Sequence, residues 1–443
     1  MRATLFGGAG HGVAMAFVIV GAGAAGIAAA ERLRELGKDV VLISRDRRAY
    51  SLCALPYVLS GEASEEKIFT HDEKAFRDMG AQPRLGADVK AVEPAKKKVV
   101  LGDGEAISYD ALLLAPGSIP FVPQIPGAEL VHPRTDNVFV FNSLEDTRTL
   151  LGAAGRAKSA VVMGAGFSGL ECAYALRRRG LDVSVVEMED RVLPRILDRD
   201  MSPPVEDVLE KNGVRTLLRH KVLALQKKDG GVTVRLSGPG KDELEVHSDF
   251  VVICIGVRPE LSLAKGAGLR TERGIVVGAD MRTSDPEIFA AGDAAEFEKH
   301  IPAVWLTAVQ QGRVAACGMA GVKASFTHLP SVNVATLFGV PVVGIGTPAT
   351  YLKGTPDVKL EHKGGIWRKR IMLDGKSAGY QSVGEVSRGL VSLLEHELGG
   401  LPDEFARAGL HHPVFGCEAR LGIKRGPIRA SSHTRKPRGG HSS

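Results

Sequence analysis

The sequence predicts an α/β protein of two to three domains in which one βαβ unit occurs twice. The chain has 443 residues, whereas a single hydrophobic core stops growing at about 250 to 300 residues. Its composition, 44% apolar and 24% charged residues, is that of an ordinary globular protein. Residues 17–46 and 160–190 match each other at a constant offset of 143 positions. Each has an apolar β-rich run, a G-x-G-x-x-G turn, a helical pattern and a second apolar run, which together indicate a βαβ unit.

The glycines of each turn have separate roles. The first allows the tight turn, the second lets a pyrophosphate approach the backbone, and the third lets helix and strand pack closely. In the two copies they are Gly21, Gly23 and Gly26, and Gly164, Gly166 and Gly169. The phosphates would lie at the helix N-terminus, where free N–H groups and the helix dipole favour anions. Two such units predict two bound dinucleotides.

An acidic residue about 20 positions beyond these glycines binds the adenosine ribose hydroxyls in such units. In the second copy this residue is Glu187, which would repel a 2′-phosphate and so favours NADH, while Arg191 nearby leaves NADPH open. The same offset in the first copy falls on Ser44, followed by Arg45 and Asp46. The first site lacks the usual carboxylate at this position, so either the Ser44 hydroxyl accepts the ribose or Asp46 reaches it.

The net charge of +6 is concentrated in one tail. Six of the 57 lysines and arginines lie in residues 424–443, and the other 51 balance the 51 acidic residues. A neutral body argues against a nucleic-acid surface, and we expect flexible termini at 1–14 and 424–443. The longest apolar stretch, residues 15–30, is too short and too rich in glycine for a transmembrane helix. Five cysteines without a C-x-x-C pair are typical of reduced thiols, so we expect a cytoplasmic protein with no membrane span.

Three more segments have the form of a buried strand that ends in a glycine turn. They are DALLLAPGSIPFVPQIPG at residues 110–127, DFVVICIGVRPE at 249–260 and TSDPEIFAAGDAAEF at 283–297. In this order, and with the two repeats, they resemble the FAD-dependent pyridine nucleotide-disulfide oxidoreductases over residues 17–414. In that family the second βαβ unit is inserted into the first, and an α+β domain follows.

The resemblance implies that the first glycine turn binds FAD and the second binds NAD(P)H. Asp293 matches the family aspartate that hydrogen-bonds the flavin ribityl chain, and the dipole of the helix from about Ala303 would stabilise negative charge on reduced flavin. Pro116 stands where the family turn has threonine, a departure that affects a local hydrogen bond rather than the fold. Further cofactor-binding positions are the turn residues Pro116, Gly117 and Gly256.

The same resemblance implies the domain bounds. FAD-binding residues 15–140 and 258–325 enclose the NAD(P)H-binding residues 141–257, and residues 326–423 form a dimerisation domain with a helix at 385–398. In the family this last domain completes the active site of the neighbouring subunit, so a homodimer with twofold symmetry is implied.

The stretch AYSLCALPYVLSGE, residues 49–62, contains Cys53. Two-cysteine reductases of the family carry C-x₄-C, but here the second position is Val58. The pattern C-x-L-P-Y-x-x-x-G resembles instead the single-cysteine branch: coenzyme A-disulfide reductases, NADH-dependent persulfide or polysulfide reductases, and NADH oxidases and peroxidases. There the thiol lies over the flavin and forms a mixed disulfide, a persulfide or a sulfenic acid. A helix that starts near Cys53 would lower the pKa of its thiol, whereas we expect inert structural thiols at Cys172, Cys254 and Cys317.

Secondary features bear on the electron acceptor. Oxidases and peroxidases of the branch carry a histidine in the first glycine turn, where this chain has Ala24, which weighs against both. Tyr380 is a single candidate for the two C-terminal tyrosines of coenzyme A-disulfide reductases. His412 resembles the acid–base histidine that two-cysteine reductases supply from the other subunit, although a solvated surface turn is an equal alternative. Cys417 is a candidate resolving thiol for Cys53 across the dimer.

These features predict an NAD(P)H-dependent FAD enzyme that reduces a small disulfide, persulfide or polysulfide, with Cys53 and His412 as catalytic residues. One alternative is an NADH oxidase in which Cys53 cycles through sulfenic acid. The other is a reductase that passes electrons to a rubredoxin or ferredoxin and does not require Cys53. The dimerisation domain and the C-x-L-P-Y context favour the thiol enzyme, because a reductase of protein partners needs an open flavin face.

Overall fold

The protein has two parallel sheets flanked by helices, which confirms the α/β class that the repeats predict. The computed structural model describes residues 16–131, 137–240, 243–301, 303–328 and 330–386. The α-helices of these residues are Ala24–Glu35, Leu55–Ser60, Glu73–Asp78, Leu144–Ala154, Phe167–Arg178, Pro203–Lys211, Ser262–Gly266 and Trp305–Met319. Single 3₁₀ turns lie at Leu52–Ala54, Glu65–Ile68, Pro94–Lys96, Ala128–Leu130, Gly292–Ala294 and Ala349–Tyr351. No helix in these ranges has the length and apolar content needed to cross a membrane.

The first parallel sheet contains short apolar strands that are buried along their length, as is typical of sheets covered by helices on both faces. In order across the sheet its strands are Ile288–Ala290, Ala111–Leu114, Phe17–Val20, Val40–Ser44 and Ala81–Leu85. Phe17–Val20 pairs on one side with the next strand of the chain and on the other with a much later one. The strand order therefore reverses at Phe17–Val20, and the crevice at its carboxyl end is a topological switch point where such sheets bind ligands.

The second parallel sheet repeats this order. Its strands are, across the sheet, Val138–Val140, Phe250–Ile253, Ser159–Met163, Asp182–Val186 and Val214–Leu217. All of them lie in the chain between Ala111–Leu114 and Ile288–Ala290 of the first sheet, so the second unit is inserted in the first. Val138–Val140 pairs with Phe250–Ile253 and belongs to the second unit, although the predicted FAD-binding segment runs to residue 140.

Smaller sheets surround the two units. Three-stranded antiparallel sheets are formed by Val89–Glu93, Lys98–Leu101 and Ala106–Ser108, and by Lys221–Lys228, Gly231–Ser237 and Glu243–Ser248. Two-stranded pairs are formed by Ala49–Tyr50 with Phe69–His71, and by Ile275–Val277 with Ala295–Phe297. The two links between the units, Ser118–Pro120 and Val257–Pro259, pair antiparallel. The chain therefore enters and leaves the second unit through one ribbon.

An antiparallel sheet follows the two units, within the segment for which an α+β domain is expected. Its strands are, in order, Val332–Leu337, Val340–Gly346, Lys376–Val383, Ile366–Leu373 and Asp357–Lys363. Leu337, Val342 and Val383 share a hydrophobic core with the second unit, so this sheet packs against that unit. The predicted helix at 385–398 lies almost entirely outside the described residues, which end at 386.

Candidate active site

In the first glycine turn, Gly21 and Gly26 are closely packed, whereas Gly23 faces open space. Gly21 has a φ of +110°, and a Cβ atom there would collide with the carbonyl oxygen of Ala115. A Cβ on Gly26 would collide with the carbonyl oxygen of Gly21. A Cβ on Gly23, in contrast, would meet no described atom within 4 Å. Gly21 and Gly26 are thus required by packing, while Gly23 leaves the turn open to a ligand.

The second turn repeats this arrangement in the inserted unit. Gly164 has a φ of +101° and approaches the carbonyl oxygen of Cys254, and Gly169 packs against the carbonyl of Gly164 so closely that neither position has room for a Cβ. A Cβ on Gly166 would again meet no described atom within 4 Å. The roles predicted for the glycines by their order in the motif therefore agree with the space around each one.

Both turns lead into helices whose N-termini are open to anions. Gly23 and Gly166 are the N-cap residues of Ala24–Glu35 and Phe167–Arg178, and no described side chain caps either helix. Neither helix has an acidic residue in its first turn. The first backbone N–H groups of each helix can therefore donate to a pyrophosphate, and both turns fit the dinucleotides predicted for them.

The acid predicted to bind ribose in the second unit is held in place by the backbone. Glu187 lies directly after the strand Asp182–Val186 and is buried. One carboxylate oxygen accepts from the N–H of Ala165 at 2.8 Å, and the other accepts from the N–H of Glu189 at 3.0 Å. Because each carboxylate oxygen can accept a further hydrogen bond, Glu187 retains the capacity to receive ribose hydroxyls.

The Arg191 side chain is directed into the protein. Its side chain is buried, forms an ion pair with Asp190 at 2.9 Å, and donates to the carbonyl oxygens of Pro194 at 2.9 Å and Leu197 at 3.2 Å. Each nitrogen of the guanidinium therefore has a protein acceptor. Arg191 is committed to the conformation of its own loop.

The first unit has no carboxylate in the position of Glu187. Ser44 is buried at the end of Val40–Ser44, and its hydroxyl accepts from the N–H of Asp46 at 3.2 Å. Arg45 and Asp46 are exposed at the carboxyl edge of the sheet. The structure thus brings all three candidate residues to the switch point, and both alternatives for ribose binding remain open.

Asp293 lies at the junction of the units with a partner that the sequence did not reveal. The Ser118 hydroxyl donates to its carboxylate at 2.8 Å, and burial raises the pKa of Asp293 although this hydrogen bond opposes the shift. Gly117, with a φ of +79°, and Gly256, with a φ of +110°, form the turns that lead into and out of the linking ribbon.

The helix Trp305–Met319 packs directly on the helix of the first glycine turn. Gly312 lies against the carbonyl of Ala25 with no room for a Cβ, and Gln311 accepts from the N–H of Gly292 at 2.9 Å. Gln310 Oε1 and Gln311 Nε2 are buried, and neither has a hydrogen-bond partner within the part of the chain that the structure describes. Buried polar atoms are normally paired, so these amides fit a polar ligand such as the flavin.

Cys53 lies in a 3₁₀ turn, Leu52–Ala54, that runs straight into the helix Leu55–Ser60. The thiol is half-buried, and the neighbouring Leu52 is 54% exposed. The helix is anchored on the second unit, because Arg179 donates to the carbonyl of Leu59 and Tyr174 donates to Glu62 at 2.7 Å. The segment that carries the thiol therefore contacts the helix that follows the second glycine turn.

A comparison with known protein families identifies the family of this chain. Residues 15–312 match the family described as pyridine nucleotide-disulphide oxidoreductase. The chain belongs to this family. It is therefore an NAD(P)H-dependent oxidoreductase and an FAD flavoprotein, as the paired glycine turns predict.

Relatives in this family differ in their electron acceptors. The chain is 36% identical over 353 residues to an NADH oxidase of Methanocaldococcus jannaschii. The aligned region covers 76% of this chain and 77% of that protein. It is 31% identical over 382 residues to a rubredoxin-NAD(+) reductase of Alcanivorax borkumensis. Here the aligned region covers 83% of this chain and 94% of that protein.

Two solved structures of the family share the fold. The reduced CoADR-RHD protein of Bacillus anthracis matches with a TM-score of 0.78 and 27% identity, over 87% of this chain and 74% of that one. An NAD-dependent persulfide reductase of A. fulgidus matches with a TM-score of 0.77 and 28% identity, over 89% of this chain and 79% of that one. Both agree with the single-cysteine branch that the Cys53 pattern predicts.

Glu171 is an acidic residue of the second unit that no sequence motif marked. It lies in the helix Phe167–Arg178, and burial raises its pKa to about 8. Tyr174 and Arg178, three and seven positions later and hence on the same face, both contact Glu62. Glu171 is thus one turn nearer the second glycine turn on the face that meets the Cys53 segment. The sequence feature that could have drawn attention to Glu171 is a glutamate in the mainly apolar part of this helix.

The remaining cysteines of the family member lie in packed surroundings. Cys172 and Cys317 are buried, and Cys317 accepts a hydrogen bond from Arg32 at 3.4 Å. Cys254 is half-buried. His412 and Cys417 lie outside the described residues, so their predicted roles stay predictions.

Proposed function

We propose that this oxidoreductase uses NADH to reduce a small disulfide, persulfide or polysulfide through Cys53. The observation that carries the proposal is the position of the thiol, in a turn that opens a helix anchored on the second dinucleotide unit. The thiol therefore belongs to a segment of the first unit whose helix contacts the second unit. The likeness to a persulfide reductase and to a CoADR protein supports the same acceptor class.

The thiol chemistry follows from one exchange and one reduction. The Cys53 thiolate attacks one sulfur of the substrate, so that an S–S bond to Cys53 forms while the substrate S–S bond breaks. The departing thiolate takes a proton from water. Two electrons then cleave the new bond, which releases the second half of the substrate as a thiol after protonation and restores the Cys53 thiolate. The bound cofactors supply the hydride and the two-electron transfer.

The surroundings of Glu187 support NADH rather than NADPH as the reductant. A 2′-phosphate placed near the Glu187 carboxylate would be repelled, and the guanidinium of the nearby Arg191 is buried and directed to acceptors of its own loop. The burial of this arginine supports NADH over NADPH.

An oxidase is the second candidate function. The observation in its favour is the 36% identity to an NADH oxidase. In such a reaction oxygen would first be reduced by two electrons to peroxide. The Cys53 thiolate would then attack the peroxide, so that an S–O bond forms, the O–O bond breaks and hydroxide departs, which leaves Cys53 as a sulfenic acid. A reductase of a protein partner is the third candidate, supported by the 31% identity to a rubredoxin-NAD(+) reductase, and it would not require Cys53.

Anaerobic reduction of wild type and Cys53→Ser separates these candidates. Both proteins, loaded with FAD, are reduced by NADH and then mixed with coenzyme A disulfide, with polysulfide or with air. We expect turnover of one sulfur substrate by wild type and loss of at least about a hundredfold in Cys53→Ser, with Cys317→Ser as the matched control that retains activity. Full turnover of the sulfur substrate by Cys53→Ser would contradict the proposal. Rapid oxidation in air without a sulfur substrate would favour the oxidase.

We also propose that residues 326–423 form a homodimer interface and that His412 reaches the partner's Cys53. Sedimentation of the FAD-loaded protein tests the first part. For the second, His412→Ala should lower turnover of the sulfur substrate without changing the rate of reduction by NADH. A monomer, or an unaltered turnover, would contradict the respective part.

A further inference from the structure

The antiparallel sheet that follows the two units ends in a free edge. Its outermost strand, Asp357–Lys363, pairs on one side with Ile366–Leu373, and no strand of the described ranges pairs with its other side. Every residue of this strand is exposed. An edge of this kind presents a row of unpaired backbone N–H and C=O groups, which a strand of another chain can pair with.

The charges of this strand alternate in sign along one face. Successive side chains of a strand point to opposite faces, so Asp357, Lys359, Glu361 and Lys363 share a face. Lys359 pairs with Glu361 at 2.9 Å, but it also lies directly opposite Arg370 of the next strand. Like charges in opposite positions of a sheet are unfavourable. A further carboxylate beside Lys359 would therefore stabilise this face.

The other face of the strand is apolar. It carries Val358 and Leu360, which are 44% and 42% exposed, and His362, whose ring stacks on Trp367 with 4.0 Å between the ring centroids. Leu360 lies opposite Lys369, which is buried and paired with the second unit. This face is thus the one that packs on that unit, and its apolar surface continues beyond the part that the unit covers.

We propose that Asp357–Lys363 pairs antiparallel with the same strand of a second copy of this chain, around a twofold axis at Leu360. The pairs that this register creates are Asp357 with the partner's Lys363, Lys359 with the partner's Glu361, and Val358 with the partner's His362. The charged pairs are all of opposite sign, and each valine packs beside an aromatic ring, as favourable cross-strand pairs do. The contact specifies one part of the homodimer proposed above and rests on that proposal.

Other registers of the same two strands are disfavoured by the charges. An axis at Lys359 would place Asp357 opposite the partner's Glu361, and an axis at Glu361 would place Lys359 opposite the partner's Lys363. Each of these registers also sets the axial residue against its own copy, and like charges directly opposite are destabilising. A shift by one residue would align the apolar face of one copy with the charged face of the other. The order of the charges therefore selects one register.

Cross-linking of the FAD-loaded full chain tests this register. Residues directly opposite each other in antiparallel strands have Cα atoms about 4.5 to 5.5 Å apart, which a disulfide can span. We expect Leu360→Cys, oxidised with copper phenanthroline, to give a covalent dimer linked through position 360. Val358→Cys is the matched control, because its two copies would lie about 13 Å apart along the strands. Tandem mass spectrometry distinguishes this link from any that involves a native cysteine.

Reversal of one charge tests the pairing itself. We expect Lys359→Glu to weaken self-association at least about tenfold in sedimentation equilibrium, because it opposes two carboxylates on each side of the axis. The exchange Lys359→Glu/Glu361→Lys should restore the association, since the opposite charges then face each other again. The flavin absorbance and the rate of flavin reduction by NADH should be the same in both variants as in wild type, which shows that the chain has folded.

Three results would overturn the proposal. The first is a Leu360→Cys protein that forms no link through position 360, or that links no more than Val358→Cys does. The second is a dimer that Lys359→Glu leaves intact, which would exclude this contact and leave the homodimer through residues 326–423 in place. The third is a wild type that is monomeric throughout, which would contradict both the contact and the homodimer.

Discussion

Glu187 and Arg191 follow the same strand, but their charges have different partners. The carboxylate of Glu187 accepts two backbone N–H groups at the rim of the site, whereas the guanidinium of Arg191 is buried in its own loop. We therefore expect the coenzyme preference to depend on the acid, while the arginine holds the shape of the loop.

Removing the acid should lower the affinity for NADH. We expect Glu187→Ala to raise the KM for NADH about tenfold, because a hydrogen bond to a charged group contributes about 1.5 to 3 kcal/mol. The KM for NADPH should change less, since repulsion of the 2′-phosphate is lost at the same time. Steady-state rates with both coenzymes measure this, and the exposed Glu189 gives the control Glu189→Ala. An unchanged ratio of the two KM values would contradict the role of Glu187.

Glu171 is a carboxyl that burial keeps protonated. Its pKa is raised from 4.5 to about 8, so between these values the folded protein binds a proton that the unfolded chain has lost. Stability must then fall as the pH rises across this window, by at most about 1.4 kcal/mol per pH unit. The residue contributes most favourably at low pH, when it is neutral in both states.

Substitution by the neutral amide should remove this dependence. We expect Glu171→Gln to lose less stability than wild type between pH 5 and pH 8, because glutamine has no proton to release. Urea unfolding of the FAD-loaded proteins at a series of pH values gives the comparison. Parallel curves for the two proteins would show that Glu171 ionises normally in the folded state.

Within the element Phe167–Arg178 and its turn, two glycines serve different needs. Gly169 has no space for a side chain because the carbonyl of Gly164 lies against it, while Gly166 faces space free of described atoms. One position is required by the packing of helix on strand, and the other by the ligand.

Alanine at each position should separate these effects. Gly166→Ala should leave the free energy of unfolding within about 0.5 kcal/mol of wild type, yet weaken NADH binding at least tenfold because the methyl group occupies the space of the pyrophosphate. Gly169→Ala should lower both stability and affinity, since the helix must move away from the strand. Thermal unfolding without NADH and calorimetry with NAD⁺ distinguish the two. Equal loss of stability in both variants would contradict the assignment.

At the scale of the whole molecule, a buried ion pair joins the second unit to the C-terminal sheet. Lys369 is 5% exposed and pairs with Asp198 at 3.1 Å and with Asp200 at 2.7 Å. Asp198 also accepts from the hydroxyl and N–H of Thr350 and from the side chain of Gln381. Asp198 belongs to the loop that begins at Glu187. The C-terminal sheet therefore contacts and supports the loop that carries Glu187.

Breaking this pair should release the sheet from the unit. We expect Lys369→Met to lower the free energy of unfolding by about 3 to 5 kcal/mol, because it leaves the Asp198 charge buried without its cation. The exposed Lys376 in the same sheet provides the control Lys376→Met, with a change of no more than about 0.5 kcal/mol. Urea denaturation of both variants measures the difference. A loss as small as that of the control would show that the pair does not hold the two parts together.

The parts of the molecule that the sequence predicted are those governed by local rules. Glycine turns and apolar strands are set by neighbours in the chain, so both βαβ units, their order and the helix that starts near Cys53 could be anticipated. The contacts of Ser118 with Asp293 and of Lys369 with Asp198 join residues far apart in sequence, and no periodicity marks them. The pKa of Glu171 likewise depends on what packs around it. These parts of the site required the fold.

The anchoring of the Cys53 helix has a consequence for protein engineering. By chain connectivity the segment at residues 53–62 belongs to the first unit, but its hydrogen bonds go to Tyr174 and Arg179 of the inserted one. A chimera that exchanges the inserted unit for that of a relative with another coenzyme would sever these bonds unless the graft restores both donors. The boundary between the two units is therefore defined by side-chain contacts and not by chain connectivity alone. An exchanged unit has to match residues 59–62 as well as the linking ribbon.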